Sequence, residues 1–248
     1  MATYPQYPPG LWRRVMLYPQ AAFIGAALED DMHRFHLRMD HAGGVITALR
    51  GDAVRHPWSE CPGAIGHLSQ NVVGQPLAEV ARLDPRQQCT HFHDLAVLAA
   101  AHARDAAPST YDMYVADRVD GRTTATLDLN GTERLRWELD ESRIETGPRA
   151  GLDLRQLSKW KQDLPGDEAE QSALLRRAIF VSGARQYVPE TDVAAENKTM
   201  RAGVCFNYQS PQIERSTRTP DWHVDHSRPG GQPLAGLDPA RDFAAMAA

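Results

Sequence analysis

The sequence predicts an α+β fold in which an antiparallel sheet carries helices on one face. Apolar and polar residues alternate along several segments, as they do in half-buried strands. Turn dipeptides such as Asp-Gly and Asn-Gly separate some of these segments, as in β-hairpins. Two further stretches, each just after a cysteine, carry apolar residues at helical spacing.

The first predicted hairpin spans residues 32–49. His33 and Phe35 fall on one face of an alternating segment that ends near Met39. The turn H-A-G-G then leads into the apolar run 45–49, which is typical of a returning strand. Because the face that carries Phe35 is apolar, we expect it to point into the core.

Two helices are predicted after Cys61 and Cys89. The first covers residues 64–73, and a glycine and a proline close it. The second begins just after Cys89 and continues to about His102, with apolar residues recurring at helical spacing. Each cysteine therefore precedes a helix N-terminus.

Beyond residue 108 the pattern changes to a β-meander followed by helices. We expect three regions: a metal-site region at 11–107, the meander and helices at 108–216, and an extended tail at 217–248. Proline, glycine and polar residues dominate the tail, and a Pro- and Tyr-rich arm opens the chain. The predicted strands are 111–119, 122–129 and 134–139, and the predicted helices are 152–162 and 168–180.

Composition excludes several functional classes. The net charge is −5, with 27 Lys and Arg against 32 Asp and Glu, so we expect no nucleic-acid partner. No stretch approaches the ~20 apolar residues that span a bilayer, and the first residues lack the pattern of a signal peptide. A cytoplasmic protein without membrane association is expected. There, three cysteines are more typical of metal ligands, nucleophiles or core residues than of disulfides.

Asp31 and His33 form the first candidate pair. In an extended strand, residues two apart point to the same side, so both side chains would face inward with Phe35. An ionised aspartate in that position is costly unless a metal or a charged partner compensates. The alternative is that Asp31 ends the strand at the solvent edge and His33 is merely half-buried.

Cys61 and Cys89 are the second candidate pair. A helix N-terminus favours the thiolate form, which is both the nucleophile and the metal ligand. Buried structural cysteines are the alternative for both, and Cys205, in an apolar run, is expected in the core. Zinc accepts sulfur, nitrogen and oxygen ligands tetrahedrally, and a catalytic site keeps one position open.

Three further side chains are candidates for catalysis or substrate binding. His91 lies two residues after Cys89 and is favoured over His93, while His33 could act as a general acid or base. Arg55, near Trp58, could bind a carboxylate beside the reactive centre. The alternative is an arginine packed on the indole. Walker A, G-x-S-x-G, H-E-x-x-H and strand-following G-x-G-x-x-G patterns are all absent from the sequence.

Three sequence segments resemble the bacterial DUF2889 family, a group without an assigned activity. They are E-D-D-M-H-R-F-H-L-R-M-D-H-A-G-G-V, R-H-P-W-S-E-C-P-G-A and C-T-H-F-H-D-L, with G-V-C-F-N-Y-Q similar to the family's C-terminal end. The chain departs from that family in two places. Gln88 stands where a glycine precedes C-T-H, and Asp30 stands where a histidine is frequent on the first strand.

The order of elements is also similar to that of the SufU and IscU iron–sulfur scaffold proteins. The resemblance covers a strand, a hairpin, a cysteine with a helix, and a second cysteine with a helix. In those proteins an aspartate and three cysteines bind zinc or a cluster. The resemblance implies Asp31, Cys61 and Cys89 as the equivalents here, with no third cysteine near Glu29 or Asp30. Losing one thiolate favours a mononuclear metal over a cluster.

From these observations we expect a mononuclear metal enzyme, with zinc as the metal and iron as the alternative. Its substrate is expected to be a small organic molecule, aromatic molecules included, and its chemistry that of a lyase or hydrolase. A sulfur-transfer or iron–sulfur assembly protein, or a protein with a structural metal, are the alternatives. The terminal segments suggest a homodimer. The expected ligands are Asp31, Cys61 and Cys89, completed by His33, His91, Glu29 or Asp30.

Overall fold

The computed structural model describes residues 9–185, 202–228 and 230–247. Most of the predicted N-terminal arm lies outside these residues. Eight strands form an antiparallel sheet in the order β4-β3-β2-β1-β5-β6-β7-β8, which confirms the predicted α+β class. The strands are β1 Gly10–Pro19, β2 Phe23–Glu29, β3 Arg34–Ala42, β4 Val45–Arg55, β5 Ser109–Ala116, β6 Arg122–Leu129, β7 Thr132–Asp140 and β8 Arg143–Ile144.

The helices are mostly short. A 3-10 turn at Cys61–Gly63 leads into the first of them. Among the described residues, no helix combines the length and apolar character that crossing a membrane requires. The helices are α1 Ala64–Val72, α2 Thr90–His102, α3 Leu157–Trp160, α4 Gly166–Ser182, α5 Gln212–Arg215 and α6 Pro239–Ala245.

The chain divides into two compact units. The hairpin unit contains the described residues of 15–109, 202–224 and 234–247. The meander unit contains the described residues of 9–14, 110–185 and 225–233. One change of unit falls after Ser109. Segments far apart in the sequence contribute to each unit, which local sequence patterns do not indicate.

In the hairpin unit, β3 pairs with β2 on one side and with β4 on the other. The face of β3 that carries Phe35 is buried, as its alternation predicts, and packs against α2. The rings of Phe35 and Phe92 meet edge to face with centroids 4.8 Å apart. Gly51 of β4 lets α2 approach, because a Cβ there would lie 2.7 Å from the Phe92 ring.

The opposite face of β2 and β3 is covered by α6. Phe243 is fully buried, and its ring lies directly over Gly25. Asp238 caps the helix by accepting a hydrogen bond from the Arg241 N–H, and Pro239 opens its first turn. The segment predicted as an extended tail therefore contains a short helix that buries an aromatic anchor.

Residues 216–224 also lie along the hairpin unit. The Ser59 N–H donates to the Thr217 carbonyl at 2.9 Å. The next residue, Arg218, places its guanidinium over two indole rings. Its Cζ lies 4.0 Å from the Trp58 ring centroid and 4.3 Å from that of Trp222. A cation between two aromatic faces is stabilised by both ring quadrupoles.

In the meander unit, the predicted hairpin turns are present where the dipeptides indicated. Asp120 and Gly121 have φ values of 49° and 80°, and Asn130 and Gly131 have φ values of 52° and 77°. Two consecutive positive φ angles are the signature of the turn that matches strand twist. The turns therefore set the pairing of β6 with its neighbours.

Candidate metal centre

The candidate centre begins in the turn that links β2 to β3. Asp30 Oδ1 accepts hydrogen bonds from the backbone N–H groups of Met32 and His33, each at 2.9 Å. The same oxygen lies 2.9 Å from His33 Nδ1. Asp30 is fully buried, so these donors replace the water that its carboxylate loses. The turn fixes both the carboxylate and the imidazole before β3 begins.

The second part of the centre comes from α2. His91 lies in the first turn of this helix and is 9 % exposed. Its ring stacks on that of His33 with centroids 3.7 Å apart and an interplanar angle of 29°. The Phe35 ring also stacks on His91, with centroids 5.4 Å apart, and provides an apolar surface beside the two imidazoles. Two segments distant in sequence thus bring two imidazoles together.

Asp30, His33 and His91 form a group that can hold a metal ion. One potential ligand atom from each lies within 4.8 Å of the others, and no other such group occurs among the residues that the structure describes. The donor set contains two nitrogens and one oxygen. The His33 side chain is 12 % exposed, so one edge of the centre is accessible to solvent.

The predicted ligand Asp31 is buried, but it is not part of this group. Its backbone carbonyl accepts hydrogen bonds from Arg55 Nη1 at 2.6 Å and from the Val224 N–H at 2.7 Å. Cys61 and Cys89 are likewise outside the group. Metal ligation by Asp31 and these two cysteines stays a prediction.

Two of the three cysteines, Cys61 and Cys205, lie in an apolar cluster of the hairpin unit. Cys61 packs with Trp58 and Tyr208, and Cys205 packs against that cluster. Burial raises the pKa of the Cys61 thiol well above its usual range. Burial, together with the neighbouring Cys205, raises the pKa of Cys89 to about 12. Both thiols are therefore protonated at neutral pH unless a metal displaces the proton.

The predicted substrate-binding residue Arg55 makes several contacts within the protein. Its guanidinium donates to Glu29 Oε1 at 2.8 Å and to the carbonyls of Asp30 at 2.8 Å, Asp31 at 2.6 Å and Trp222 at 3.5 Å. These bonds join the end of β4 to the turn that carries Asp30. The arginine that packs on the Trp58 indole is Arg218, not Arg55.

The sequence predicts His33 and His91 as site residues and Asp30 as one alternative ligand. Strand β3 begins at Arg34, two residues after the predicted start, so Asp30 and His33 lie in the turn before it. A signal was present in the sequence: an aspartate followed by a histidine three residues later, just before an alternating segment. Aspartate at such a position often accepts hydrogen bonds from the backbone two or three residues on.

A comparison with protein-family models gave no match, and a comparison with curated proteins gave none at a significant level. The case for a metal centre therefore rests on the residues of this chain.

Proposed function

We propose that the protein is a metal-dependent enzyme, with zinc as the metal, that acts on a small organic molecule by hydrolase or lyase chemistry. The observation that supports this most directly is the convergence of Asp30, His33 and His91. Catalytic zinc centres use three protein ligands of this kind and leave a position for water or substrate. Iron(II) also accepts two histidines and a carboxylate, so it is the alternative metal.

The protein's own residues would prepare the site in two ways. The hydrogen bond between His33 Nδ1 and Asp30 directs the other ring nitrogen, Nε2, away from the carboxylate. The stack against His91 and the neighbouring Phe35 limits rotation of the imidazole. A bound zinc ion would polarise a substrate oxygen or lower the pKa of a water molecule.

A buried carboxylate serves a zinc site in one of two ways. It is a ligand itself, or it orients a histidine from behind, as carboxylates do beside many metal-bound histidines. The three donors to Asp30 Oδ1 favour the orienting role for that oxygen. In either role, its buried charge compensates part of the charge of the cation.

Elemental analysis tests the proposal directly. Protein purified without added metal, or reconstituted with zinc and desalted, is expected to contain zinc near one equivalent per chain. His33→Ala and His91→Ala should each lose it, while His102→Ala retains it, because His102 ends the same helix and pairs with Asp105. Loss of zinc in Cys61→Ser and Cys89→Ser, with retention in both histidine variants, would overturn the proposed ligand set.

Activity is tested on the zinc-loaded protein with small esters, amides and hydroxy acids, aromatic members included. Turnover that disappears on chelation and in His91→Ala would support the enzyme proposal. A bound metal without turnover of any of these classes would leave only a structural role for it. The expected homodimer is a separate prediction, which light scattering after gel filtration tests.

A further inference from the structure

We propose that a pocket between β4 and α6 binds a small α-amino acid, whose amine meets Asp52 and Asp242 and whose carboxylate meets Arg50. The pocket has a volume of about 570 Å³, which falls in the range that small-molecule sites occupy. It lies wholly in the hairpin unit. The side chains that line it are His36, Arg50, Asp52, Asp242, Ala245 and Met246.

Strand register brings the polar groups of the pocket to one face of the sheet. His36 of β3 lies directly opposite Asp52 of β4. Arg50 comes two residues before Asp52, so both side chains project from the same face. Phe35, the neighbour of His36, packs on α2 at the other face, where the candidate metal centre lies. The pocket is therefore separate from that centre, and the inference does not rest on the proposed function.

Asp52 supplies a carboxylate that lacks a cationic partner within the described part of the chain. It is exposed, and its carboxylate forms no ion pair or hydrogen bond there. The cation two residues away, Arg50, pairs with Asp40 instead, with Nη1 2.6 Å from Asp40 Oδ2. An ammonium group of a ligand would give Asp52 the charge-assisted hydrogen bond that the chain does not provide.

Two further acceptors face the same space. His36 Nε2 is shielded from solvent and has no hydrogen-bond partner among the described residues. A neutral imidazole has one nitrogen that accepts a hydrogen bond. Asp242 contributes a second carboxylate from α6, although Arg241 already pairs with it at 2.7 Å. The pocket thus presents acceptors from β3, β4 and α6.

The spacing of these acceptors favours an ammonium group over a metal ion. Among the described residues, only the candidate metal centre has three potential ligand atoms within 4.8 Å of one another. The acceptors of His36, Asp52 and Asp242 therefore stand farther apart than that. Hydrogen bonds from an ammonium nitrogen are about 2.8 Å long, whereas bonds to zinc are roughly 2.0–2.2 Å, so an ammonium group suits the wider spacing better.

Arg50 gives the pocket a group of the opposite charge. Its Nη1 is bound to Asp40, but Nε and Nη2 make no described hydrogen bond, and the side chain is 38 % exposed. A carboxylate can accept from two such nitrogens at once. Positions two apart on a strand are roughly 6–7 Å apart, so a molecule whose amine and carboxylate share one carbon can meet both Arg50 and Asp52. Ala245 and Met246 add an apolar wall for its side chain.

Isothermal titration calorimetry tests the proposal on the unsubstituted full-length protein at neutral pH, with EDTA present to remove free metal. The probes are glycine, L-alanine and L-leucine. Two analogues of leucine each lack one charged group: 3-methylbutylamine has no carboxylate, and 4-methylpentanoate has no amine. Leucine should bind, and both analogues should bind at least ~10-fold more weakly, because each loses one charge-assisted contact.

Variants then assign the binding to the pocket. Asp52→Asn and Arg50→Gln should each weaken leucine binding at least ~10-fold. Asp105→Asn is the matched control, since Asp105 is an exposed carboxylate of the same unit that pairs with His102 outside the pocket. His91→Ala should also bind leucine normally, which separates the pocket from capture of the amino acid by a metal at the candidate centre.

Four results would overturn the proposal. They are no binding of any of the three amino acids at millimolar concentration, equal affinity for leucine and 3-methylbutylamine, unchanged affinity in Asp52→Asn, and loss of binding in His91→Ala. Urea unfolding checks that each variant is folded. If Arg50→Gln does not fold, the comparison of leucine with its two analogues on the unsubstituted protein decides whether both charges are recognised.

Discussion

The imidazole rings of His33 and His91 lie face to face, with centroids 3.7 Å apart and an interplanar angle of 29°. One ring follows an aspartate turn, and the other lies in the first turn of a helix. Neither segment alone contains all three potential ligands. Their contact follows from the packing of α2 on the apolar face of β3, where Phe35 meets Phe92. The position of the centre is thus a consequence of core packing.

The first prediction separates the two tasks of Asp30. Asp30→Asn keeps an oxygen that can accept the backbone N–H groups of Met32 and His33, but it removes the charge. Asp30→Asn should therefore lower the free energy of unfolding less than Asp30→Ala does. In Asp30→Ala the two backbone N–H groups lose their acceptor, which costs about 1–3 kcal/mol. Zinc affinity should fall in both, by roughly 10–100-fold. Competition with a chromogenic chelator measures affinity, and urea titration measures stability. Equal zinc affinity in Asp30→Ala and the unsubstituted protein would remove Asp30 from the centre.

The second prediction concerns the pair between Arg55 and Glu29. Both side chains are largely buried, at 12 % and 6 % exposed, and their contact is 2.8 Å. Arg55→Met would leave Glu29 Oε1 without its arginine, while Oε2 keeps the 3.3 Å contact to Arg34 and the 2.6 Å hydrogen bond from the Leu234 N–H. It would also remove the bonds from Arg55 to the backbone of the metal-site turn. Breaking a buried pair in this way costs about 3–5 kcal/mol.

Arg50→Met is the matched control for that change. Arg50 pairs with Asp40 at 2.6 Å, but its side chain is 38 % exposed, so its loss should cost under ~1 kcal/mol. Urea unfolding of both variants gives the comparison. Similar losses in the two variants would show that the buried pair does not hold the turn.

Local signals account for much of what the sequence predicted. The turns at Asp120-Gly121 and Asn130-Gly131 have the expected positive φ angles, because few residues other than these adopt them readily. Helix α2 ends at His102, as its apolar spacing indicated. Such features depend on residues a few positions apart, which a single sequence displays.

Contacts between distant segments could not be predicted in the same way. Arg55, a predicted substrate-binding residue, has the Trp222 carbonyl, far along the chain, among its partners. The burial of Phe243 over Gly25 likewise depends on where the last helix docks. Nothing in the composition of the C-terminal segment specifies that position. The backbone hydrogen bond from the Phe206 N–H to the Gln88 carbonyl also joins distant segments.

The third prediction is a pH dependence through His36. Burial, with a further contribution from Arg34, lowers the pKa of His36 below its usual 6.5. Between the lowered folded value and 6.5, the unfolded chain binds more protons than the folded protein, so stability rises with pH in this window. The contribution of neutral His36 is present above pH 6.5 and is lost as the pH falls below it.

Urea midpoints at pH 7.5 and 5.5 measure this effect. The unsubstituted protein should lose more stability on acidification than His36→Gln, because the other titrating groups are present in both proteins. An equal loss in the two proteins would show that His36 takes up its proton without penalty in the folded state.

The fourth prediction concerns the contact of Gly25 with Phe243. A Cβ at Gly25 would lie 2.2 Å from Phe243 Cδ2, and this ring is fully buried. Gly25→Ala should therefore destabilise the protein by about 1–3 kcal/mol through overpacking. Gly66→Ala is the matched control, since a Cβ there meets nothing within 4 Å and alanine favours helix α1 by roughly 1 kcal/mol. A double-mutant cycle with Phe243→Ala locates the cause. In that background, Gly25→Ala should cost little, because the atoms it displaces are gone. If its cost were unchanged there, helix α6 would not be what requires a glycine at this position.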